Sequence, residues 1–305
     1  DEQMAEVEAQ GPEVPVRTAE NRLGTVNGEA RLVFSLRDGV TLLDRAACRM
    51  PFKVLRPFPA PDGRTVLQLL NISPGPLAGD RYAIDISVEP GAHAIVMSPS
   101  ATKIHTMPEP GSALQTVRLR VAAGATLEYY PPLNIPFPGA CFHQTITAEV
   151  QGDGSLALRG AWAAGRIERG ERLACRQLSS PALRYRTGDG WGQTPPDGGR
   201  TSGERTLIYR EALLLEPGMP EFGMLEGANY VLSGIFVGPP DAAPEDPVVA
   251  TLPHLKAGGQ TRPGLSVFRA LAWTSAELRG LELEAGKGLG RRWGLTPLRL
   301  TRFTN

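Results

Sequence analysis

Residues 70–107 read LNISPGPLAGDRYAIDISVEPGAHAIVMSPSATKIHTM, and this stretch decides how the rest of the chain is read. Ser73 to Asp80 is a Gly/Pro loop ending in a carboxylate. Arg81 to Glu89 then alternates apolar with polar residues, the period of a half-buried strand. Pro99 to Lys103 is a second tight loop, ending in a cation. Two punctuated loops joined by strand-like runs predict a β framework with fixed corners.

The same grammar extends outward. Ala30 to Leu36, Thr65 to Leu70, Tyr82 to Val88, Ala92 to Met97, Gln115 to Val121, Ala125 to Tyr130, Phe142 to Val150, Ser155 to Trp162 and Leu207 to Leu215 all read as short strands between turn residues. Three strands ending in Val are each followed by Gly: Val88 by Gly91, Val121 by Gly124, Val150 by Gly154. The spacing of roughly 30 residues is a repeat period, read here as stacked hairpins. The predicted fold is all-β, with stacked antiparallel or solenoid-like strands in a single large domain and a few helices, mostly C-terminal. Residues 1–27 are expected to be a flexible acidic leader and 28–305 the β domain. A polar, mobile insert is expected near 179–203. Ser275 to Ala285 is the best helix, with Ser275 as cap, Leu278 and Leu281 on one face and Gly286 as the stop.

Composition narrows the function. The 32 basic and 32 acidic residues balance, which argues against a nucleic-acid or anionic-membrane partner. No apolar run is long enough to span a bilayer. Three dispersed cysteines, Cys48, Cys141 and Cys175, form no disulfide framework and fit a reducing, cytoplasmic setting. The sequence has no P-loop, no G-x-S-x-G and no H-E-x-x-H, so no common hydrolase or nucleotide chemistry is signalled.

What remains are scattered polar candidates. Cys141 and His143 share a strand face and can converge as a weak metal pair, with His93 or His105 as a possible third ligand. The face carrying Asp85, Ser87 and Glu89, and the face carrying His143, Thr145, Thr147 and Glu149, can line a hydrated passage or simply face solvent. Asp80, Lys103 and Arg166 sit in small-residue loops and can pin those loops together or meet a partner. The strand repeat and the aromatics Tyr129, Tyr130, Trp162 and Trp191 also admit a carbohydrate-binding or carbohydrate-active β-solenoid, although paired carboxylates across a groove are not evident.

Several of these residues resemble one family. Ser73-Pro-Gly-Pro-Leu-Ala-Gly-Asp80 is similar to the S-G-G-x-x-x-G-D loop of the urease accessory protein UreD (UreH) family. The Pro90-Gly-Ala92 turn, Ser100-Ala-Thr-Lys103, Leu127-Glu-Tyr-Tyr-Pro131, Ile135-Pro-Phe137 and Gly165-Arg166 followed by Gly170-Glu171 follow in the family's order. The departures are Pro74 and Pro76, which stiffen the glycine loop, Ile104-His105 in place of Val-Tyr, and only a faint likeness from Glu216 onward. The resemblance implies a non-catalytic, mainly β scaffold that binds UreF, recruits the GTPase UreG through it, and docks on apo-urease. It implies no permanent cofactor, only transient Ni²⁺ passing to the urease active site. On that reading Asp80, Asp85, Lys103 and Arg166 line a passage or lock loops, and Cys141 with His143 touch the metal briefly.

Overall fold

The computed structural model describes residues 25–60, 62–187, 205–219, 225–239 and 257–293. The expected leader up to residue 24 lies outside this set, as do residues 188–203 of the expected insert.

Two sheets face each other. One contains β1 (Asn27–Arg37), β2 (Val40–Arg49), β6 (Arg81–Val88), β9 (Ala113–Val121), β12 (Cys141–Gln151), β14 (Gln177–Thr187) and β15 (Arg205–Leu215). The other is built on β3 (Phe52–Val54), β5 (Thr65–Asn71), β7 (His93–Met97), β10 (Thr126–Tyr130), β13 (Ser155–Ala163), β16 (Tyr230–Val237), β17 (Ala257–Arg262) and β18 (Leu265–Ala272). Short strands β4 (Phe58–Pro59), β8 (Thr102–Ile104) and β11 (Asn134–Pro136) join its margin.

The chain winds between the sheets as a solenoid. Each central coil gives one strand to each sheet: β6 then β7, β9 then β10, β12 then β13. Strands of successive coils pair in parallel, β1–β6–β9–β12–β14 on one side and β5–β7–β10–β13 on the other. The solenoid-like, all-β expectation is therefore met. The stacked hairpins are not: within the coils the repeat is parallel, and antiparallel pairs close its ends, β1–β2 and β14–β15 on one sheet and β13–β16–β18–β17 on the other. A Gly-turn ends a strand equally well in a hairpin or a coil corner, so local sequence does not separate the two.

The repeat itself is real. Ala92, Ala125 and Gly154 donate their N–H to Glu89, Ala122 and Gln151 carbonyl oxygens, giving the same four-residue corner three times. Val88, Val121 and Val150 stack in register just before it, all fully buried. Gly91 and Gly124 supply the positive φ of 76° and 68° that the corner needs. In the third corner that role moves to Gly152, and Gly154 is needed because a Cβ there would lie 2.5 Å from the Ala122 carbonyl oxygen.

Sheet position sets the burial pattern. β6 alternates, with Tyr82, Ile84, Ile86 and Val88 buried between the sheets. The second sheet is covered on both faces, so β13 is buried almost throughout, as expected of parallel strands packed on two sides. Its outer cover includes α1 (Ser275–Trp293), through Leu278, Leu281 and Ala285. The predicted face of α1 is right, but two details differ. Its capping box is Thr274 with Glu277: Thr274 Oγ1 accepts the Glu277 N–H, and Glu277 Oε2 accepts those of Trp273 and Thr274. It also runs past Gly286. The first nine residues of the expected insert, 179–187, belong to β14, which pairs in parallel with β12 and adds a rung to the first sheet.

Candidate functional site in the solenoid interior

The space between the sheets has two characters. Near the Gly corners it is filled by Val88, Leu119, Val121, Leu127, Leu156 and their neighbours. At the opposite end the inward positions turn polar. Tyr82 of β6 is in register with Gln115 of β9, and Gln115 with Gln144 of β12. Gln144 Nε2 donates to Gln115 Oε1 at 2.9 Å, and Ser180 Oγ of β14 donates to Gln144 Oε1 at 3.1 Å. This row crosses the first sheet from coil to coil. It lines two cavities, and Pro131, Asn134 and Gln144 belong to the walls of both.

The quoted loops close one mouth of the first cavity. Ser73, Gly75, Ser100 and Lys103 line it. Asp80 is 4 % exposed, and its carboxylate is an anchor: Oδ1 accepts the Val26 N–H at 2.9 Å, and Oδ2 accepts the Leu77 N–H and the Tyr82 hydroxyl at 3.0 Å each. Burial, with the neighbouring Asp80 charge adding, pushes the Tyr82 phenol up to about 12, so it stays a hydrogen-bond donor. Asp80 thus ties the 73–80 loop to the inward tyrosine that starts the polar row. Gly75, at φ 136°, packs on Lys103; an added Cβ would lie 1.8 Å from the Lys103 carbonyl oxygen. It is the backbone of Lys103 that meets the loop, while its side chain is exposed. His105 completes the junction, with its N–H donating to the Pro76 carbonyl at 3.3 Å and Nε2 lying 3.1 Å from the Pro74 carbonyl oxygen.

Arg166 pins a different corner. Its Nε and Nη2 donate to the two Glu171 oxygens at 2.5 and 2.6 Å, and its guanidinium lies 4.1 Å from the centroid of Phe137. The Glu171 bonds hold Arg166 above its ordinary range and Glu171 below its own.

The two expected passage walls face the other way. Asp85 alternates out of the core, with Oδ1 3.6 Å from the exposed Arg118 guanidinium. His143, Thr145, Thr147 and Glu149 likewise alternate with the buried Phe142, Gln144, Ile146, Ala148 and Val150. The gap between facing sheets is closed mostly by apolar side chains, so the polar faces of both strands go outward.

Cys141 and His143 do converge, at 3.7 Å between Sγ and Nε2, and His143 Nδ1 lies 2.8 Å from Ser179 Oγ. Burial, and then Arg176, lower the imidazole below its ordinary value, which favours the neutral, ligating form. Neither expected third ligand joins them: His93 bonds Glu128 at 2.9 Å on the other sheet, and His105 packs on Phe137. Among the described residues no group of three metal-binding side chains forms. The nearby Cys175 thiol is pushed up to about 11 by burial, which keeps it protonated.

Gln144 and Gln115 carry a signal in the sequence. Each breaks an otherwise apolar parity, Gln144 between Phe142 and Ile146 and Gln115 ahead of Val117 and Leu119. The aromatics that admitted a carbohydrate platform are buried: Tyr129, Tyr130 and Trp162 are each under a tenth exposed, and Trp191 lies outside the described residues.

Comparison with known proteins matches the sequence to one family. The model of the UreD urease accessory protein family matches residues 26–299. The chain belongs to the UreD family of urease accessory proteins. It is 31 % identical over 219 residues to a urease accessory protein UreD of Deinococcus radiodurans, covering 72 % of this chain and 73 % of that one. A UreD 1 from Synechococcus sp. strain JA-3-3Ab is 35 % identical over 211 residues, covering 68 % and 72 %. A UreD 3 from Methylorubrum populi is 32 % identical over 224 residues, covering 71 % and 67 %. The family match runs well past Leu215, where the sequence motifs fade, and takes in β16, β18 and α1. In this UreD-family chain the motif residues Asp80, Glu128 and Arg166 are all engaged in hydrogen bonds that fix corners or cross-strand positions. No helix among the described residues is long and apolar enough to cross a membrane.

Proposed function

We propose that this chain serves urease maturation as a non-catalytic scaffold in the cytoplasm. It docks UreF, and UreG through UreF, onto apo-urease and conducts Ni²⁺ towards the urease active site. The observation that carries this reading is the polar row Tyr82–Gln115–Gln144–Ser180 at the junction of two interior cavities, inside a mostly apolar β-solenoid. Amide and hydroxyl oxygens are weak ligands for a first-row divalent cation and release it readily, which suits transfer better than storage. Asp80 holds the entrance loop and Tyr82 in place. The outer Cys141–His143 pair is a transient metal contact before or after passage, because two ligands do not close a site.

The test is urease activation in cells carrying the cognate urease genes. Gln144→Leu keeps the volume of the side chain and removes its ligands. It is expected to leave folding and co-purification with UreF intact and to lower urease-bound nickel several-fold. Full nickel loading with Gln144→Leu would remove the row from the route. Failure of the folded wild-type chain to capture either UreF or urease subunits would sink the scaffold reading as well.

A further inference from the structure

The second cavity contains a buried cation of unusual placement. Arg184 lies on β14 in the inward row of Leu32, Ile86, Leu119 and Ala148. Its four row neighbours are apolar and packed; Arg184 is 0 % exposed. Nη1 donates to the carbonyl oxygens of Ile146 at 3.2 Å and of Leu183 at 3.1 Å. Nε and Nη2 have no hydrogen-bond partner among the described residues. A buried donor left unpaired is destabilising, and more so when it is charged.

Those two atoms form the side-on fork of a guanidinium, the edge that takes both oxygens of a planar oxyanion. The same chain shows what fits that fork. Arg64 uses Nε and Nη2 to hold the two oxygens of Asp62 at 2.9 and 2.6 Å. Arg166 uses the same atoms on Glu171. Arg184 lines a cavity whose wall also carries Gln144, Ser180, Ser233 and Arg269, all able to donate hydrogen bonds, and a single carboxylate, Glu211. Glu211 is drawn towards Arg269, at 3.7 Å, and towards the Tyr209 hydroxyl at 3.5 Å. Two guanidinium groups against one carboxylate leave the wall with a formal charge of +1. Burial pushes Arg184 down to about 10, partly opposed by Glu211, so it is charged at neutral pH.

We propose that Arg184 and the polar wall of the second cavity bind a small planar oxyanion of the carboxylate type, received by the Nε/Nη2 fork. The site stands on its own geometry and does not require the nickel reading, although a bound oxyanion would neutralise a fixed cation beside the polar row.

The test uses the full chain and sodium formate as probe, against sodium chloride at equal ionic strength and in the absence of nickel and urease. Formate is expected to raise the thermal midpoint by a few degrees at about 100 mM through linkage, and to show saturable broadening of its carbon-13 resonance. Arg184→Met should abolish both effects, and Arg184→Lys, a charge without the fork, should retain less than half. An equal response in Arg184→Met, or none in the wild type, overturns the proposal. Should Arg184→Met not fold, Glu211→Gln decides the matter. It keeps both arginines and removes the fixed anion, so formate should bind at least threefold tighter. Unchanged or weaker binding there also overturns it.

Discussion

The two ends of the solenoid interior are made of the same strands and follow opposite rules. At the Gly-corner end, Val88, Val121 and Val150 stack without polar interruption and are fully buried. Six residues earlier on the same strands, Tyr82, Gln115 and Gln144 hold the same parity and leave room beside them. An interior closed by aliphatic side chains maximises the area removed from water and the dispersion contacts. Amides and hydroxyls in the other half give up part of that gain, and each must be hydrogen-bonded to stay inside. The contrast teaches that one end of each coil is packed to hold the fold, while the other gives up packing for hydrogen-bonded side chains and open space.

The largest effect should come from disturbing the packed end. Leu119→Ala, at a position 1 % exposed, is expected to cost about 2–5 kcal/mol in denaturant unfolding. A loss below about 1 kcal/mol would mean that the packed end relaxes into the space and is not rigid. Next comes the anchor that joins the loops to the polar end. Asp80→Ala strands the Val26 and Leu77 N–H groups and the Tyr82 hydroxyl, for roughly 2–4 kcal/mol. The chain should still fold, with urease activation falling further than stability alone accounts for. Activation unchanged at normal expression would separate the entrance loop from function. By the same contrast, Gln144→Leu fills the site but strands Gln115 Oε1 and the Ser180 hydroxyl, and should cost roughly 1–3 kcal/mol, less than Asp80→Ala. A large loss would show that the polar row is structural.

The smallest effect concerns pH and the outer face. His143 is held below its ordinary 6.5 in the folded chain by burial and Arg176. Below that value the unfolded chain takes up a proton at this position first, so stability falls as the pH drops from 6.5 through the folded-state pKa. Thermal midpoints measured near neutral pH and near about pH 5.5 should converge slightly in His143→Gln relative to wild type. Equal slopes in the two proteins would show that His143 is no more enclosed than an ordinary surface histidine.

Strand positions, the 30-residue repeat and the buried face of α1 were legible in the sequence, because periodicity and turn chemistry are local. The pinning of loops by Asp80 and Arg166 was half legible: the charges stood out, and their partners Val26, Tyr82 and Glu171 were found only in space. The strand faces carrying Asp85 and His143, read as either a passage wall or a solvent-facing side, point outward. Polarity within a strand identifies two faces, and burial decides which faces in. The informative residues were the exceptions on the apolar side, Gln115 and Gln144, each an unremarkable polar residue until its neighbour in the next coil is known.

The sequence by itself determined that this chain is all-β, built on a repeat with glycine corners, and a member of the UreD family. Those properties rest on residues a few positions apart and on motifs in order. The tertiary structure decided that the repeats wind as parallel coils, that Gln115, Gln144 and Ser180 meet inside, and that Arg184 is enclosed with its fork unpartnered. These depend on residues 29 to 36 positions apart being brought into adjacent rungs. Coil stacking alone makes such contacts, and no short stretch of sequence carries them.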